Sequence, residues 1–201
     1  MFSSQCSYAG GEITDTAIVE KLPQSYRNLL QQVNGCILFD GGLHIRGAVV
    51  SPRWHSLRVA WFGETALHRL FPAIKQHDIP FGQDCQGDQF VLRDAVVHRL
   101  QAETGDVKNL AMDLETFLRF AHEAPVEFLS LQPLQRFRRE GGELKPGELL
   151  SVYPPFCTKE SAAGVSLKAI PASDRIAFLA DFAGQLSRLS HGTKVKIKTS
   201  K

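Results

Sequence analysis

The chain has 201 residues, of which 43% are apolar and 22% charged, with 13 phenylalanines and a formal net charge of +2. That is enough apolar side chain to fill a core and too much for a disordered polymer. No window reaches the roughly 18 apolar residues that a membrane-crossing helix needs, and the first residues, Met1-Phe2-Ser3-Ser4-Gln5-Cys6, lack the basic and apolar regions of a signal peptide, so the expected location is the cytosol.

Four cysteines, Cys6, Cys36, Cys85 and Cys157, share no short paired spacing, which predicts reduced, largely buried thiols rather than a disulfide framework or a zinc clasp. Charge is unevenly spread: residues 1–125 carry 11 basic and 14 acidic side chains, a balance of −3, and residues 126–201 carry 12 and 7, a balance of +5. Such an asymmetry can steer a charged partner.

In chain order, Thr14 or Asp15 can cap a first helix carrying Ile18, Val19 and Leu22. Pro23 restarts it, because a first helical position tolerates a missing N–H, and Tyr26, Leu29, Leu30 and Val33 follow at helical spacing. Asn34-Gly35 ends this helix, since glycine enters the left-handed region without a Cβ clash. Residues 36–39 and 43–45 flank Asp40-Gly41-Gly42 and predict a tight hairpin. The next stretch is less regular and reads as a strand over 57–62 and a short helix over 64–70. Trp54, His55 and Trp61 are expected in or near the core rather than in a ligand cage.

Ile79-Pro80 then gives an extended approach, residues 82–87 a loop, and residues 89–93 a strand with Phe90 and Leu92 on one face. A strand over 96–100 pairs back after Asp94-Ala95. Asp113 can cap a helix in which Leu114, Phe117, Leu118 and Ala121 fall on one face, bounded by Pro125. Beyond it, residues 128–138 read as helical, 149–153 and 165–170 as strands, and Ser173 as the cap of a helix carrying Ile176, Leu179, Ala183 and Leu186 that stops near His191-Gly192. Lys194 to Lys198 alternates lysine with Val195 and Ile197, the two-residue period of a half-exposed strand. No repeat or long linker divides the chain. The elements predict an α+β fold, with a core over residues 1–125 and an α+β extension over 126–201 packed on it as one cooperative unit.

The helix that stops at Asn34-Gly35, the run Pro80-Phe81-Gly82, the Gly87-Asp88 turn entering a strand, and the later Leu114-Glu115-Thr116-Phe117-Leu118 resemble, in order and spacing, the SUKH superfamily. That superfamily includes the yeast Smi/Knr cell-wall assembly regulators and many bacterial toxin-immunity proteins. The resemblance covers about residues 13–120; residues 46–78 are long for the pattern, and nothing from Val126 onward belongs to it. It implies a mixed or antiparallel sheet with packed helices. It also implies a bacterial immunity protein that docks on a cognate toxin and blocks it by occlusion, or alternatively an intracellular regulatory scaffold.

Gly82 and Gly87 permit a tight loop, and Asp84 and Asp88 can bond its backbone N–H groups. Asp84, Asp88 and Asp94 against Arg93 leave this segment at −2, a rim suited to a basic toxin domain. Asp84, Gln86, Asp88 and Asp94 are therefore the candidate partner-binding residues.

Signals for reaction chemistry are weak. Gly164-Val165-Ser166-Leu167-Lys168 lacks the second glycine of a nucleophile elbow. His122-Glu123 runs into Ala124-Pro125, where proline interrupts a zinc-binding helix. Asp84-Cys85-Gln86-Gly87-Asp88 lacks the donor spacing and closing glutamate of a calcium loop, and no phosphate-cradling glycine loop follows a strand. An enzyme would need an enclosed pocket with perturbed groups near Asp84, His98 or His44. The basic tail, Lys194, Lys196, Lys198 and Lys201, reads as protection of a strand edge rather than a nucleic-acid contact. No cofactor and no metal is expected, and the expected partner is a protein, with neither membrane nor nucleic acid.

Overall fold

Seven antiparallel strands, each bonded to its neighbour in sequence, form the spine of the computed structural model, which describes residues 5–188. They are β1 (Cys6–Ala9), β2 (Cys36–Leu38), β3 (Leu43–Ile45), β4 (Ile79–Asp84), β5 (Gln89–Arg93), β6 (Val96–Gln101) and β7 (Asp106–Asn109). A second, two-stranded antiparallel sheet pairs β8 (Glu148–Tyr153) with β9 (Ser166–Pro171). Among the described residues eight α-helices complete an α+β fold: α1 (Thr16–Val19), α2 (Gln24–Gln32), α3 (Leu57–Phe62), α4 (Leu67–Leu70), α5 (Leu114–Glu123), α6 (Pro125–Phe128), α7 (Gln132–Arg139) and α8 (Ala172–Leu186). Among the described residues no helix is long and apolar enough to cross a membrane.

Both faces of the large sheet are covered, and the two-residue strand period sorts the side chains between them. Phe90, Leu92 and Val97 join Tyr26, Leu29 and Leu30 of α2 and Phe117 and Ala121 of α5 in one core. At its centre the Phe117 ring meets Phe90 at 4.7 Å, Phe128 at 5.3 Å and Phe81 at 5.4 Å. Val91 and Leu100 point the other way, onto Leu67 of α4 and Leu179 and Ala183 of α8. Leu129, Leu131, Leu134, Leu144 and Leu150 belong to the first core, so residues from both sides of position 125 share one apolar interior.

Local signals account for most element ends. Asp15 accepts the Ile18 N–H and Asp113 the Thr116 N–H, capping α1 and α5. Gly35, at φ 75°, turns the chain after α2. Several expectations are corrected. Residues 57–62 are a helix, not a strand: Ser56 accepts the Val59 N–H as its cap, and Leu57 and Trp61, four apart, are both buried. The helix expected over 64–70 is shorter, starting at Leu67. The link between β2 and β3 is a 3-10 turn in which Phe39 and Asp40 as well as Gly41 take positive φ, wider than a two-residue hairpin.

The extended approach at residue 79 does not yield to a loop at Gly82. β4 runs on to Asp84, leaving only a tight turn before β5. Strands β1 and β7 were missed; both lie at sheet edges, where half of the alternating pattern faces water. Helix α8 begins at Ala172 with Pro171 at the cap position, so Ser173 sits inside the first turn, its hydroxyl donating to Asp174. The expected stop near His191-Gly192 and the alternating strand over 194–198 lie outside the described residues. All four cysteines are free thiols: Cys36 and Cys85 are buried, Cys6 half-buried and Cys157 exposed. Trp61 and His55 are buried and Trp54 is half-buried.

Candidate functional site

The acidic turn faces inward. One oxygen of Asp84 accepts the backbone N–H groups of Gln86, Gly87 and Asp88 at 2.9–3.1 Å, and the other accepts Nη2 of Arg99 at 2.9 Å. Asp88 accepts Nε of Arg99 at 2.8 Å and the Ala102 N–H at 2.9 Å. The Asp84 side chain is fully shielded, and those of Asp88 and Arg99 are 17% and 19% exposed. Burial first, and then the charge of Asp88, push the Asp84 carboxyl up to about 7 against the pull of Arg99 and the backbone donors.

Gln86 donates its side-chain amide to the Ser130 carbonyl at 3.1 Å. Asp94 lies at the opposite end of β5, exposed, at φ 51° in the turn to β6. The four residues expected to form one acidic rim are therefore not one surface. Asp84, Gln86 and Asp88 are spent on internal partners, because desolvated carboxylates need donors, and of the four only Asp94 is exposed.

This turn is the root of a longer network. Arg175 of α8, 1% exposed, donates Nε to the Gln86 carbonyl at 3.1 Å, lies over the Phe178 ring and places Nη2 3.7 Å from Glu103. Gly87, at φ 104°, leaves room for that helix: a Cβ there would stand 2.6 Å from Leu179. Glu103 in turn accepts the backbone N–H groups of Phe156 at 3.2 Å and Cys157 at 2.9 Å, from the loop joining β8 to β9. Ser161 closes the same loop by donating to the Phe156 and Thr158 carbonyls at 3.2 and 2.7 Å. Backbone that would otherwise be mobile is thus tied from two sides.

The tied loop presents aromatic side chains to water. Tyr153, at the end of β8, is 51% exposed and Phe156, three residues on, is 42% exposed. Exposed aromatics are the side chains most often buried at the energetic centre of protein interfaces. Beside them, partial shielding of its sulfur and then the Glu103 carboxylate push the Cys157 thiol up to about 11, so it stays protonated at neutral pH.

Sequence reasoning missed Tyr153, Phe156, Glu103 and Arg175. The one local signal was Tyr153-Pro154-Pro155-Phe156, two aromatics around a proline pair that cannot continue a strand ladder.

The histidines raised for reaction chemistry are also accounted for. The His44 and His55 rings stack at 5.1 Å with Nε2 of His44 2.8 Å from Nδ1 of His55, and the other ring nitrogen of His55, Nε2, bonds the Asn34 carbonyl at 3.0 Å. Burial, and then the nearby Arg46 charge, hold His44 well below the usual imidazole range; burial likewise lowers His55. The void beside His44 has about 10 Å³, room for at most one water. His98 is buried, with Nδ1 3.2 Å from the Val96 carbonyl.

No family model and no curated protein matches the chain. A solved structure does. The crystal structure of Atu4351 from Agrobacterium tumefaciens has a similar fold, with a TM-score of 0.51 at 12% identity, covering 87% of this chain and 85% of that one. At that identity the likeness concerns the fold alone. A match over 87% of the chain cannot be confined to residues 1–125.

Proposed function

We propose that the protein is a non-catalytic binding module of the cytosol, SUKH-like and of the immunity type, which docks on a cognate bacterial toxin and blocks it by covering its working surface. The observation that carries the reading is the pair Tyr153 and Phe156, exposed at the tip of β8–β9 on backbone held by Glu103. Fixing the tip before the encounter removes part of the ordering cost of association, and two aromatic anchors supply area that water leaves unsatisfied. The anchors would form the centre of an interface of roughly 1,200–2,000 Å².

The test is co-expression with the toxin encoded by a neighbouring reading frame, scored by growth and by isolation of a one-to-one complex. Tyr153→Ala combined with Phe156→Ala should weaken that complex roughly hundredfold while leaving the melting temperature within about 1 °C, as loss of two interface anchors at exposed positions predicts. Undiminished binding by the double variant would sink the proposed docking site. A neighbouring frame whose product is neither bound nor neutralised would sink the immunity reading.

A further inference from the structure

On the far side of the large sheet, α3, α4 and the first turn of α8 enclose an open cleft of about 520 Å³, within the size range of small-molecule sites. Its polar lining is basic: Arg46 and Arg53 contribute to it, and no aspartate or glutamate does. Arg46 is 2% exposed, and its guanidinium donates only to neutral oxygens. These are the Pro80 and Gly82 carbonyls at 2.9 and 3.1 Å and the side-chain oxygens of Gln83 and Gln89 at 2.7 and 2.6 Å.

Every other strongly buried guanidinium described has a carboxylate close by; Arg175, for example, has Glu103. Arg46 forms no ion pair among the described residues. Burial lowers it to about 10, which leaves it charged at neutral pH. A charge held in a low-dielectric site without a counter-ion is a strong attractor for one.

Two further features add to it. Pro171, at the cap position of the 15-residue α8, offers no side-chain cap; the Ala172 N–H is taken by the Gly147 carbonyl at 2.8 Å, and Pro171, Ala172 and Ser173 line the cleft. The neighbouring Asp174 is exposed and is not part of the lining. Ser56, Thr65 and Gln83 add neutral polar groups to the lining, and Leu67, Leu70 and Ile176 give it an apolar wall.

We infer that this cleft is a binding site for a small amphiphilic carboxylate, with the anionic head held by the Arg46 and Arg53 charges at the start of α8 and the apolar body against Leu67, Leu70 and Ile176. A neutral ligand would leave the Arg46 charge uncompensated, and a bare inorganic anion would leave the apolar wall wet. The site is distinct from the Tyr153–Phe156 tip, and the inference does not depend on docking there.

Titration of the full-length protein with octanoate, followed by amide NMR and calorimetry, tests it. Octanoate should bind at sub-millimolar concentration, shift the Ser173 amide and the Trp54 indole, and weaken as salt is raised. Octanol and octylamine should bind at least tenfold more weakly, and Arg53→Gln should cost about threefold. Arg46→Met should cost tenfold or more, but it deletes four hydrogen bonds that join β3, β4 and β5; where it fails to fold, the octanol and Arg53→Gln arms decide alone. Equal binding of octanol and octanoate, shifts centred outside the cleft, or no saturation up to ~5 mM would overturn the inference.

Discussion

Replacing Arg99 by methionine probes the network that holds the hairpin tip. Methionine keeps most of the aliphatic stem and deletes the guanidinium, which lies over the Phe90 ring and bonds Asp84 and Asp88. Two carboxylates, one wholly shielded and one 17% exposed, then face each other without their shared cation. Breaking a buried pair in this way costs about 3–5 kcal/mol, which for a chain of this size lowers the melting temperature by about 10 °C at pH 8.

The deficit should depend on pH, and the sign is fixed by Asp84. Its folded carboxyl is pushed up to about 7, above the ordinary 3.8, so folding favours the protonated form; the stability linked to this group is present at low pH and lost as pH rises through 7. Without Arg99 the carboxyl rises further, so the gap between variant and wild type should be widest at pH 8 and narrow at pH 5. Adding Asp84→Asn should close much of the gap at pH 8. Thermal melts of the four proteins at the two pH values decide. A deficit under about 2 °C, or one equal at both pH values, would refute the account.

Gly87→Ala combines a left-handed backbone at φ 104° with a Cβ 2.6 Å from Leu179, and should cost about 3 kcal/mol in urea unfolding; a loss below about 0.5 kcal/mol would mean that α8 yields freely. Asp78 is shielded, and although burial opposes it, the two bonds from Arg93 at 2.8 and 2.7 Å and the Lys75 N–H hold its carboxyl below the ordinary range. Its contribution is therefore present above pH 3.8 and lost as pH falls through the lowered value, so the urea midpoint of wild type should drop more between pH 7 and pH 3 than that of Asp78→Asn; parallel drops would contradict this.

What could be read in the sequence was what depends on near neighbours. Phe90 and Leu92 alternate with Val91, Asp113 stands three residues before the N–H it caps, and Gly35 follows Asn34 just past the end of α2. Residues 57–62 defeated the same approach because a six-residue run with Leu57, Val59 and Trp61 satisfies a strand period as well as a helix. Only the Ser56 cap and the shared burial of Leu57 and Trp61 separate the two.

The site was less legible, for a physical reason. Whether Asp84 meets water or Arg99 is decided by a residue 15 positions away, and the Phe156 backbone is tied by one 53 positions away. The local charge of −2 around the turn said nothing about which way those carboxylates point. The cleft over Arg46 likewise draws on segments near 46, 67–70 and 171–176, which no short window contains.

The strand order gives the molecule a timetable. Because every strand of the large sheet bonds to the one before it, each can be laid down as soon as it leaves the ribosome, without waiting for a later strand. The ties that hold the hairpin tip span 53 residues, from Glu103 to Phe156, and 89 residues, from Gln86 to Arg175. A nascent chain halted before α8 would thus own a finished sheet and a tip tied through Glu103 but lacking the Arg175 brace on the Gln86 turn, and the full network would close only once α8 is made.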